Sequence, residues 1–244
     1  PNSFAFDWVG GLLIGGKLSI PNRILLIIII YSIFLKLIII NLVEINQKIF
    51  NFITNKMKPK IILNPKKDYT ILNFSKPPAN SLCIDSLRLL IKAIDNINPD
   101  KAIVITSNGT IFSAGFDLFL LEKINQTDFK YLILLFEELL EKIISHPSFT
   151  FTILNGHAIA GGFILASSTD FIISKKGSHK IGLNPDLLNL LLPALPSTIL
   201  KFKYRKEVNK LLSKNTINDF IITNSHINKT TKPFQYVKNK IKKN

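Results

Sequence analysis

Two glycine-containing turns are the segments of this chain best suited to chemistry. The first spans residues 112–118 and reads Phe-Ser-Ala-Gly-Phe-Asp-Leu, and the second spans residues 155–162 and reads Asn-Gly-His-Ala-Ile-Ala-Gly-Gly. Each turn follows a run typical of a buried strand and precedes a run typical of a helix, so each presents backbone N–H groups at a helix start. Two such turns placed face to face would form a pocket for a developing oxyanion, in which one donor is worth roughly 3 kcal/mol.

Individual residues of the two turns have distinct predicted roles. Gly115 allows a sharp bend where a side chain would clash, and this bend points the amide of Phe116 outward. Asp117 can cap the following helix by accepting hydrogen bonds from its first turn. Gly161 and Gly162 leave the start of the second helix open, so that a thioester oxygen could approach the Gly161 amide. Each motif is weak alone, but the two together, in this order, are more specific.

The elements that position the turns are alternating strands and helices. Short apolar runs, typical of buried strands, alternate with longer runs that have apolar residues at helical spacing. The predicted strands cover residues 69–74, 102–106, 150–154 and 170–174, and the two clearest helices cover 82–97 and 128–145. This alternation predicts an α/β fold with a mostly parallel sheet. Ligands of such folds bind at the carboxyl ends of the strands, where both turns fall.

Residues 69–228 resemble the crotonase (enoyl-CoA hydratase/isomerase) superfamily, and within it the Δ3,Δ2-enoyl-CoA isomerases of mitochondria. The resemblance rests on Pro-Pro-Ala-Asn-Ser-Leu at 77–82, the two glycine turns, Asp170, and Ile-Gly-Leu-Asn at 181–184. It implies a crotonase-like α/β core, a spiral of ββα units. The helical region that superfamily members carry after the segment near Ile227 is expected to be shortened.

The resemblance also implies roles for individual residues. The amides of Phe116 and Gly161 match the oxyanion hole of the superfamily. Ser113, Ala114 and Asp117 match the segment along which CoA binds. The superfamily moves a proton between C2 and C4 of an acyl-CoA with a glutamate base, and it uses no metal or redox cofactor. The resemblance therefore implies acyl-CoA as a ligand and no cofactor.

The chain departs from the superfamily at the positions that carry proton transfer. In the isomerases a glutamate follows the Gly-Leu-Asn segment, and the matching residue here is Pro185, which has no acid–base group. In the hydratases a second glutamate lies in the helix after the glycine pair, and here it is Ile164. Asp186 is a weak candidate for a replacement base, because its side chain is shorter and starts from a shifted direction. His157 is interpreted as a packing or hydrogen-bonding residue, so no catalytic base is expected.

Composition divides the chain into five parts. They are an N-terminal extension (1–22), a predicted transmembrane helix (23–48), a basic linker (49–68), the crotonase-like domain (69–228) and a lysine-rich tail (229–244). The transmembrane helix is predicted because residues 24–43 include a single charge, Lys36. Twenty helical residues span about 30 Å, the thickness of the hydrocarbon core. A buried strand or a core helix is the alternative, since isoleucine-rich runs also form strands in water.

The charge of the chain points to anionic partners. Its net charge of +15 results from 31 lysines and arginines against 16 aspartates and glutamates. This excess favours association with anionic lipid or an acidic protein. Only three of the basic residues are arginines, and no aromatic platform accompanies them, so specific nucleic-acid recognition is not predicted. The single cysteine, Cys83, excludes an intrachain disulfide and a cysteine-based metal site.

These observations lead to one preferred functional interpretation and two alternatives. The preferred interpretation is a non-catalytic protein of crotonase fold that serves as a membrane-anchored structural subunit of a membrane protein complex. By analogy with the mitochondrial isomerases, the mitochondrial inner membrane is the predicted location. The first alternative is an active enoyl-CoA isomerase or hydratase with an unorthodox base. The second is an acyl-CoA binding module without turnover.

Overall fold

The computed structural model describes residues 20–183, 193–204 and 227–243. The chain forms two compact units, Pro1–Lys56 and Met57–Asn244, which are described separately. Two positions singled out in the sequence, Pro185 and Asp186, lie outside the described residues.

The first unit contributes one long helix, α1, which runs over Ile20–Met57. In the part of the chain that the structure describes, no helix combines the length and the apolar character needed to cross a bilayer. The transmembrane helix predicted at 23–48 is therefore wrong. Lys36 interrupts the apolar run 24–43 on which that prediction rested, and the charged Glu44 and Lys48 follow it within α1.

A six-stranded sheet forms the centre of the second unit. Its strands are β1 (Lys60–Pro65), β2 (Tyr69–Ser75), β3 (Ala102–Ser107), β5 (Thr150–Leu154), β7 (Phe171–Lys175) and β9 (Ile227–Thr230). They lie in the order β1-β2-β3-β5-β7-β9. Strand β1 runs antiparallel to β2, and the other neighbouring pairs are parallel. The predicted α/β fold with a mostly parallel sheet is confirmed.

Three short strands form a second parallel sheet. They are β4 (Ile111–Ser113), β6 (His157–Ile159) and β8 (Ile181–Gly182), in the order β4-β6-β8. Each of them follows one strand of the large sheet along the chain, so the small sheet repeats the order β3-β5-β7 of the large one. The two glycine turns leave from the ends of β4 and β6, which pair directly. This pairing places the turns side by side.

The helices of the second unit cover both faces of the large sheet. They are α2 (Ile84–Asp95), α3 (Leu118–Leu121), α4 (Gln126–Ile144), α5 (Gly161–Ser167), α6 (Ala194–Lys203) and α7 (Pro233–Ile241). Ile103 and Ile105 of β3 belong to the main core, with the apolar sides of α2 and α4. Val104 points to the opposite face, where it joins a smaller cluster that includes Val237 of α7. All six residues of β3 are buried, as expected for a parallel strand covered on both faces.

Candidate functional site

The first glycine turn is anchored to the segment that precedes α2. Gly115 has a φ of +87°, which a side chain would disfavour. Its carbonyl accepts a hydrogen bond from the Leu82 N–H at 2.7 Å, and the Asp117 N–H donates to the Leu82 carbonyl at 3.0 Å. Because the C=O and N–H of a trans peptide point in opposite directions, the Phe116 N–H points away from Leu82. Among the described residues, this N–H has no acceptor.

The second glycine turn begins α5 at Gly161. The preceding residue, Ala160, has φ +51° and ψ −122°, a conformation that L-residues rarely adopt. Its N–H donates to the Gly182 carbonyl at 2.9 Å, which ties the turn to β8. Gly162 is sterically required, because a Cβ there would lie 2.4 Å from the carbonyl oxygen of Ser113. The two turns are therefore packed backbone against backbone.

The amides of Phe116 and Gly161 lie next to each other. A Cβ added to Gly115 would be 2.8 Å from the Gly161 nitrogen, and a Cβ added to Gly161 would be 3.6 Å from the Phe116 nitrogen. Gly161 is buried and Phe116 is half-buried, with its ring edge-on to Phe136 at a centroid distance of 5.0 Å. Two N–H groups in such surroundings can stabilise negative charge on a carbonyl oxygen. The structure brings the predicted pair together, and its role as an oxyanion hole stays a prediction.

Two of the residues predicted to contact CoA hold the first turn in shape. The Ser113 hydroxyl donates to the Asn80 carbonyl at 2.8 Å and accepts from the Gly115 N–H at 3.2 Å. Its side chain is fully buried. The N–H of Ala114 donates to the Ala79 carbonyl at 3.0 Å. These bonds give Ser113 and Ala114 a structural role, and their contact with CoA stays a prediction.

Asp117, the third residue predicted to contact CoA, belongs to a cluster that sequence reasoning missed. Lys76 places its Nζ 2.8 Å from Asp117 Oδ2 and 2.9 Å from Ser81 Oγ. Ser81 Oγ in turn donates to Asp117 Oδ2 at 3.2 Å. The three residues come from different segments, and no spacing rule connects a lysine before two prolines with an aspartate 41 positions later. The predicted helix cap is also present, since Asp117 Oδ1 accepts from the Leu120 N–H at 3.4 Å.

The environment keeps Asp117 ionised. Burial favours the protonated form of its carboxyl, but the hydrogen bond and the charge of Lys76 oppose this effect. Hydrogen bonds from the Leu120 N–H and from Ser81 act in the same direction as Lys76. The net result is a lowered pKa for Asp117. The aspartate is thus a fixed negative charge beside the first turn.

None of three side chains near the turns has an environment that indicates a catalytic base. Ile164 lies in α5 and is 3% exposed, so a side chain without a titratable group occupies this position. His157 is half-buried, and its Nδ1 accepts from the Lys180 N–H at 2.8 Å, which fits the predicted packing or hydrogen-bonding role. Glu137 is half-buried, and its Oε1 accepts from the Leu195 N–H at the start of α6 at 3.3 Å. This hydrogen bond joins α4 to the start of α6 and gives Glu137 a structural role.

Metal-ligand chemistry finds no support in the described ranges. Within 20–183, 193–204 and 227–243, no group of three or more His, Cys, Asp or Glu side chains could hold a metal ion. Cys83 is a free, half-buried thiol at the start of α2.

The fold and the paired turns define a class of protein, and comparison with known proteins agrees with it. The family model described as enoyl-CoA hydratase/isomerase matches residues 68–217. This match covers more than half of the chain, so the chain belongs to the enoyl-CoA hydratase/isomerase family. The resemblance to the crotonase superfamily stated from the sequence is confirmed.

Curated relatives of the chain carry names from both branches of the family. It is 29% identical over 128 residues to the mitochondrial enoyl-CoA delta isomerase 1 of Rattus norvegicus, a match that covers 50% of this chain and 44% of the relative. It is also 29% identical over 126 residues to a putative enoyl-CoA hydratase of Thermus thermophilus, covering 46% and 49% of the two chains. The chain thus spans about half the length of the curated relatives it matches.

Solved structures support the fold. Pseudomonas aeruginosa DspI superimposes with a TM-score of 0.65 at 22% identity, covering 75% of this chain and 74% of that one. An enoyl-CoA hydratase/isomerase family protein from a Pseudomonas species gives a TM-score of 0.67 at 18% identity, covering 75% and 82%. At these identities the likeness establishes the crotonase-like architecture alone.

Proposed function

We propose that this protein binds an acyl-CoA thioester and stabilises its enolate between the amides of Phe116 and Gly161. The observation that carries the proposal is the convergence of these two N–H groups, neither of which has an acceptor among the described residues. A thioester oxygen accepting both bonds would gain negative charge as a proton leaves C2. The pocket strengthens both bonds at that moment, and this differential binding lowers the barrier.

Isomerisation fits the described residues better than hydration. Hydration of an enoyl-CoA needs one group to activate water and another to protonate carbon, whereas moving a proton from C2 to C4 needs a single base. Ile164, which by resemblance matches the second glutamate of the hydratases, can serve neither step. Relatives named enoyl-CoA delta isomerase occur in rat, mouse and human. Substrate and reaction are therefore proposed as a 3-enoyl-CoA and its isomerisation, with Asp186 accepting the C2 proton in place of the glutamate that Pro185 replaces.

The membrane-anchored structural subunit is not proposed. One of the observations behind it, the transmembrane helix, is wrong, and the family match supports an acyl-CoA enzyme better than a structural subunit. A mitochondrial location is proposed on the ground that three of the isomerase relatives are named as mitochondrial. Fractionation of cells expressing the full chain would test this location, and co-purification in mild detergent would show whether it assembles with other proteins.

Gly161→Ala provides the sharpest test of the pocket. The added methyl would lie 3.4 Å from the Gly115 Cα and 3.6 Å from the Phe116 nitrogen. These are ordinary contacts, so the fold should persist while the methyl fills the space of the thioester oxygen. We expect calorimetric binding of octanoyl-CoA to weaken and turnover of a 3-enoyl-CoA to fall by about a hundredfold, the loss of kcat that follows from one oxyanion donor, while the melting temperature stays close to that of the wild type.

The neighbouring glycine gives the matched control. In Gly162→Ala the methyl would meet the backbone oxygen of Ser113 at 2.4 Å, so this variant should lose stability. Octanoyl-CoA binding that survives in folded Gly161→Ala would contradict the proposal. Turnover of a 3-enoyl-CoA by the wild type and its loss in Asp186→Asn or His157→Ala would identify the base. Binding without any turnover would instead support an acyl-CoA binding module.

A further inference from the structure

The cluster of Lys76, Ser81 and Asp117 closes one end of a short backbone ladder. Ser81 directly precedes Leu82, and Asp117 directly follows Phe116. Between them, Leu82 exchanges two hydrogen bonds with the first turn, one from its N–H to Gly115 at 2.7 Å and one to its carbonyl from Asp117 at 3.0 Å. The side-chain cluster therefore holds together the same two segments that the backbone bonds join.

This ladder determines the direction of the Phe116 N–H. The peptide between Gly115 and Phe116 is fixed through its carbonyl, which is bonded to Leu82, so its N–H faces the opposite side. Gly161 lies on that opposite side, since a Cβ added to it would be 3.6 Å from the Phe116 nitrogen. A hydrogen bond accepted by the carbonyl also polarises the peptide and strengthens its N–H as a donor. Loosening the ladder would therefore misdirect and weaken one of the two proposed oxyanion donors.

The burial of Lys76 distinguishes this ion pair from an ordinary surface pair. The side chains of Lys76 and Asp117 are 13% and 23% exposed. Screening by solvent is reduced at such a site, and loss of one partner leaves the other charge partly desolvated and unpaired. The chain contains a pair of the same chemistry, Lys142 with Asp95, at 2.7 Å and with exposures of 32% and 52%. That pair joins α4 to α2 and includes no residue of either glycine turn.

We propose that Lys76 is a positioning residue, which orients the Phe116 amide by clamping Asp117 and Ser81 across the first glycine turn. The proposal rests on the proposed function, because it assigns Lys76 a task in the same pocket. Lys76 itself does not transfer a proton, and its ammonium acts through the peptide that it helps to fix.

The test is the carbonyl stretch of bound octanoyl-CoA, labelled with ¹³C at the thioester carbon, measured by difference infrared spectroscopy. Hydrogen bonds from the oxyanion donors lower this frequency without any turnover. In the wild type we expect a shift to lower wavenumber on binding. Lys76→Met should lose at least half of that shift, and its turnover of a 3-enoyl-CoA should fall by up to about a hundredfold, the loss of rate that follows when a catalytic group is displaced. Lys76→Arg keeps the cation and should recover most of the shift.

Two further variants make the outcome decisive. Lys142→Met removes the exposed pair and should leave the shift of the bound carbonyl unchanged. If Lys76→Met does not fold, Asp117→Asn replaces it, because the amide keeps the shape of the side chain and loses the charge that holds Lys76. The carbonyl shift of octanoyl-CoA bound to Asp117→Asn is then compared with that of the wild type, and a loss of at least half is again expected.

The possible results separate the two proposals. If the wild-type protein does not bind octanoyl-CoA, or binds it without a carbonyl shift, the result contradicts the proposed function. A wild type with the shift and a folded Lys76→Met with the full shift would overturn the role of Lys76 alone. An equal loss of shift in Lys142→Met would also overturn it, because the effect would then be a general loss of stability.

Discussion

Single residues explain why the two turns meet. Only some of their roles could be predicted from the sequence. Gly115 was expected to bend the chain, and its φ of +87° confirms the expectation. Gly162 was expected to leave an open approach, but its missing side chain makes room for the Ser113 carbonyl instead. The Lys76–Asp117 pair could not be predicted, because only the folded backbone brings these two positions together. Pro185 and Asp186 lie outside the described residues, so their predicted roles remain predictions.

Among the lysines that the structure describes, Lys203 has the pKa that departs most from its ordinary value. Its Nζ donates to the carbonyl of Ser167 at 3.0 Å and to that of Thr169, so that the ammonium binds the carbonyls at the end of α5. Burial lowers the pKa of Lys203 to about 8, although the negative charge of Asp170 acts to raise it. In the unfolded chain the same group titrates near its usual value, about 10.4.

This difference predicts a rise of stability at alkaline pH. Between pH 8 and about 10, the unfolded chain binds a proton at Lys203 that the folded chain has released, so the free energy of unfolding increases with pH. Below pH 8 the group is protonated in both states and contributes no slope. We expect an increase of about 2 kcal/mol from pH 7.5 to pH 10 attributable to this residue. Urea unfolding of wild type and Lys203→Met across this range measures it.

The comparison isolates one group, since all other titrations are shared by the two proteins. The difference between the wild-type and Lys203→Met unfolding free energies should change with pH in this window and be constant below it. Parallel curves throughout would show that Lys203 has an ordinary pKa in the folded protein.

Elements were predictable where their hydrophobic pattern was strong and local. The predicted strands at 69–74, 102–106 and 150–154 correspond to β2, β3 and β5, with the last agreeing in both bounds. Strand β1 was not predicted because it lies in a lysine- and proline-containing segment, and an edge strand tolerates such residues. The strands β4, β6 and β8 are two or three residues long, too short for a periodic signal. They exist because distant segments pair.

Helix α7 was not predicted, because its segment is rich in lysine. The segment was predicted to be part of a solvated, lysine-rich tail, but Pro233 and Val237 are buried in it. Val237 is fully buried in the smaller apolar cluster, together with Val104 and Ile173. Two apolar residues four positions apart are enough to attach one turn of helix to a sheet, and the surrounding lysines hide that pattern.

The contribution of Val237 can be measured directly. Val237→Ala removes two buried methyl groups and leaves a cavity against the sheet, so the free energy of unfolding should fall by about 2 kcal/mol. Lys238→Ala, on the exposed side of the same helix, is the control and should change it by less than about 0.5 kcal/mol. Equal effects in chemical denaturation would mean that α7 is held by its lysines and not by packing.

Positive charge is distributed unevenly along the chain. Residues 57–170 carry eleven basic and eleven acidic side chains, whereas residues 171–244 carry fifteen basic and three acidic ones. Twelve of the fifteen net positive charges therefore belong to the last third of the sequence. The side chains of Lys238 on α7 and of Lys242, the residue after its last turn, are exposed. An anionic surface would be attracted to this part of the protein, as the predicted anionic partners require.

This asymmetry predicts where a charged surface binds. The wild-type protein should associate with vesicles that contain an anionic lipid at low ionic strength and dissociate in about 1 M salt, where the screening length is about 3 Å. Replacing Lys238 and Lys242 by glutamate should weaken vesicle binding more than the same change at Lys92 and Lys130. Co-sedimentation with anionic and with neutral vesicles measures the effect. Equal weakening by both double variants would show that net charge alone matters.

The pairing of β7 with β9 has a practical consequence for anyone who shortens this chain. Ile172 to Lys175 are bonded on one side to residues 227–230, which arrive from far along the sequence. A fragment that stops before residue 227 would keep the pairing of β7 with β5 but leave the other edge of this isoleucine-containing strand unpaired, so that it could pair with the same strand of another molecule. Such fragments should accumulate as insoluble material, and solubility should return once the last strand is restored.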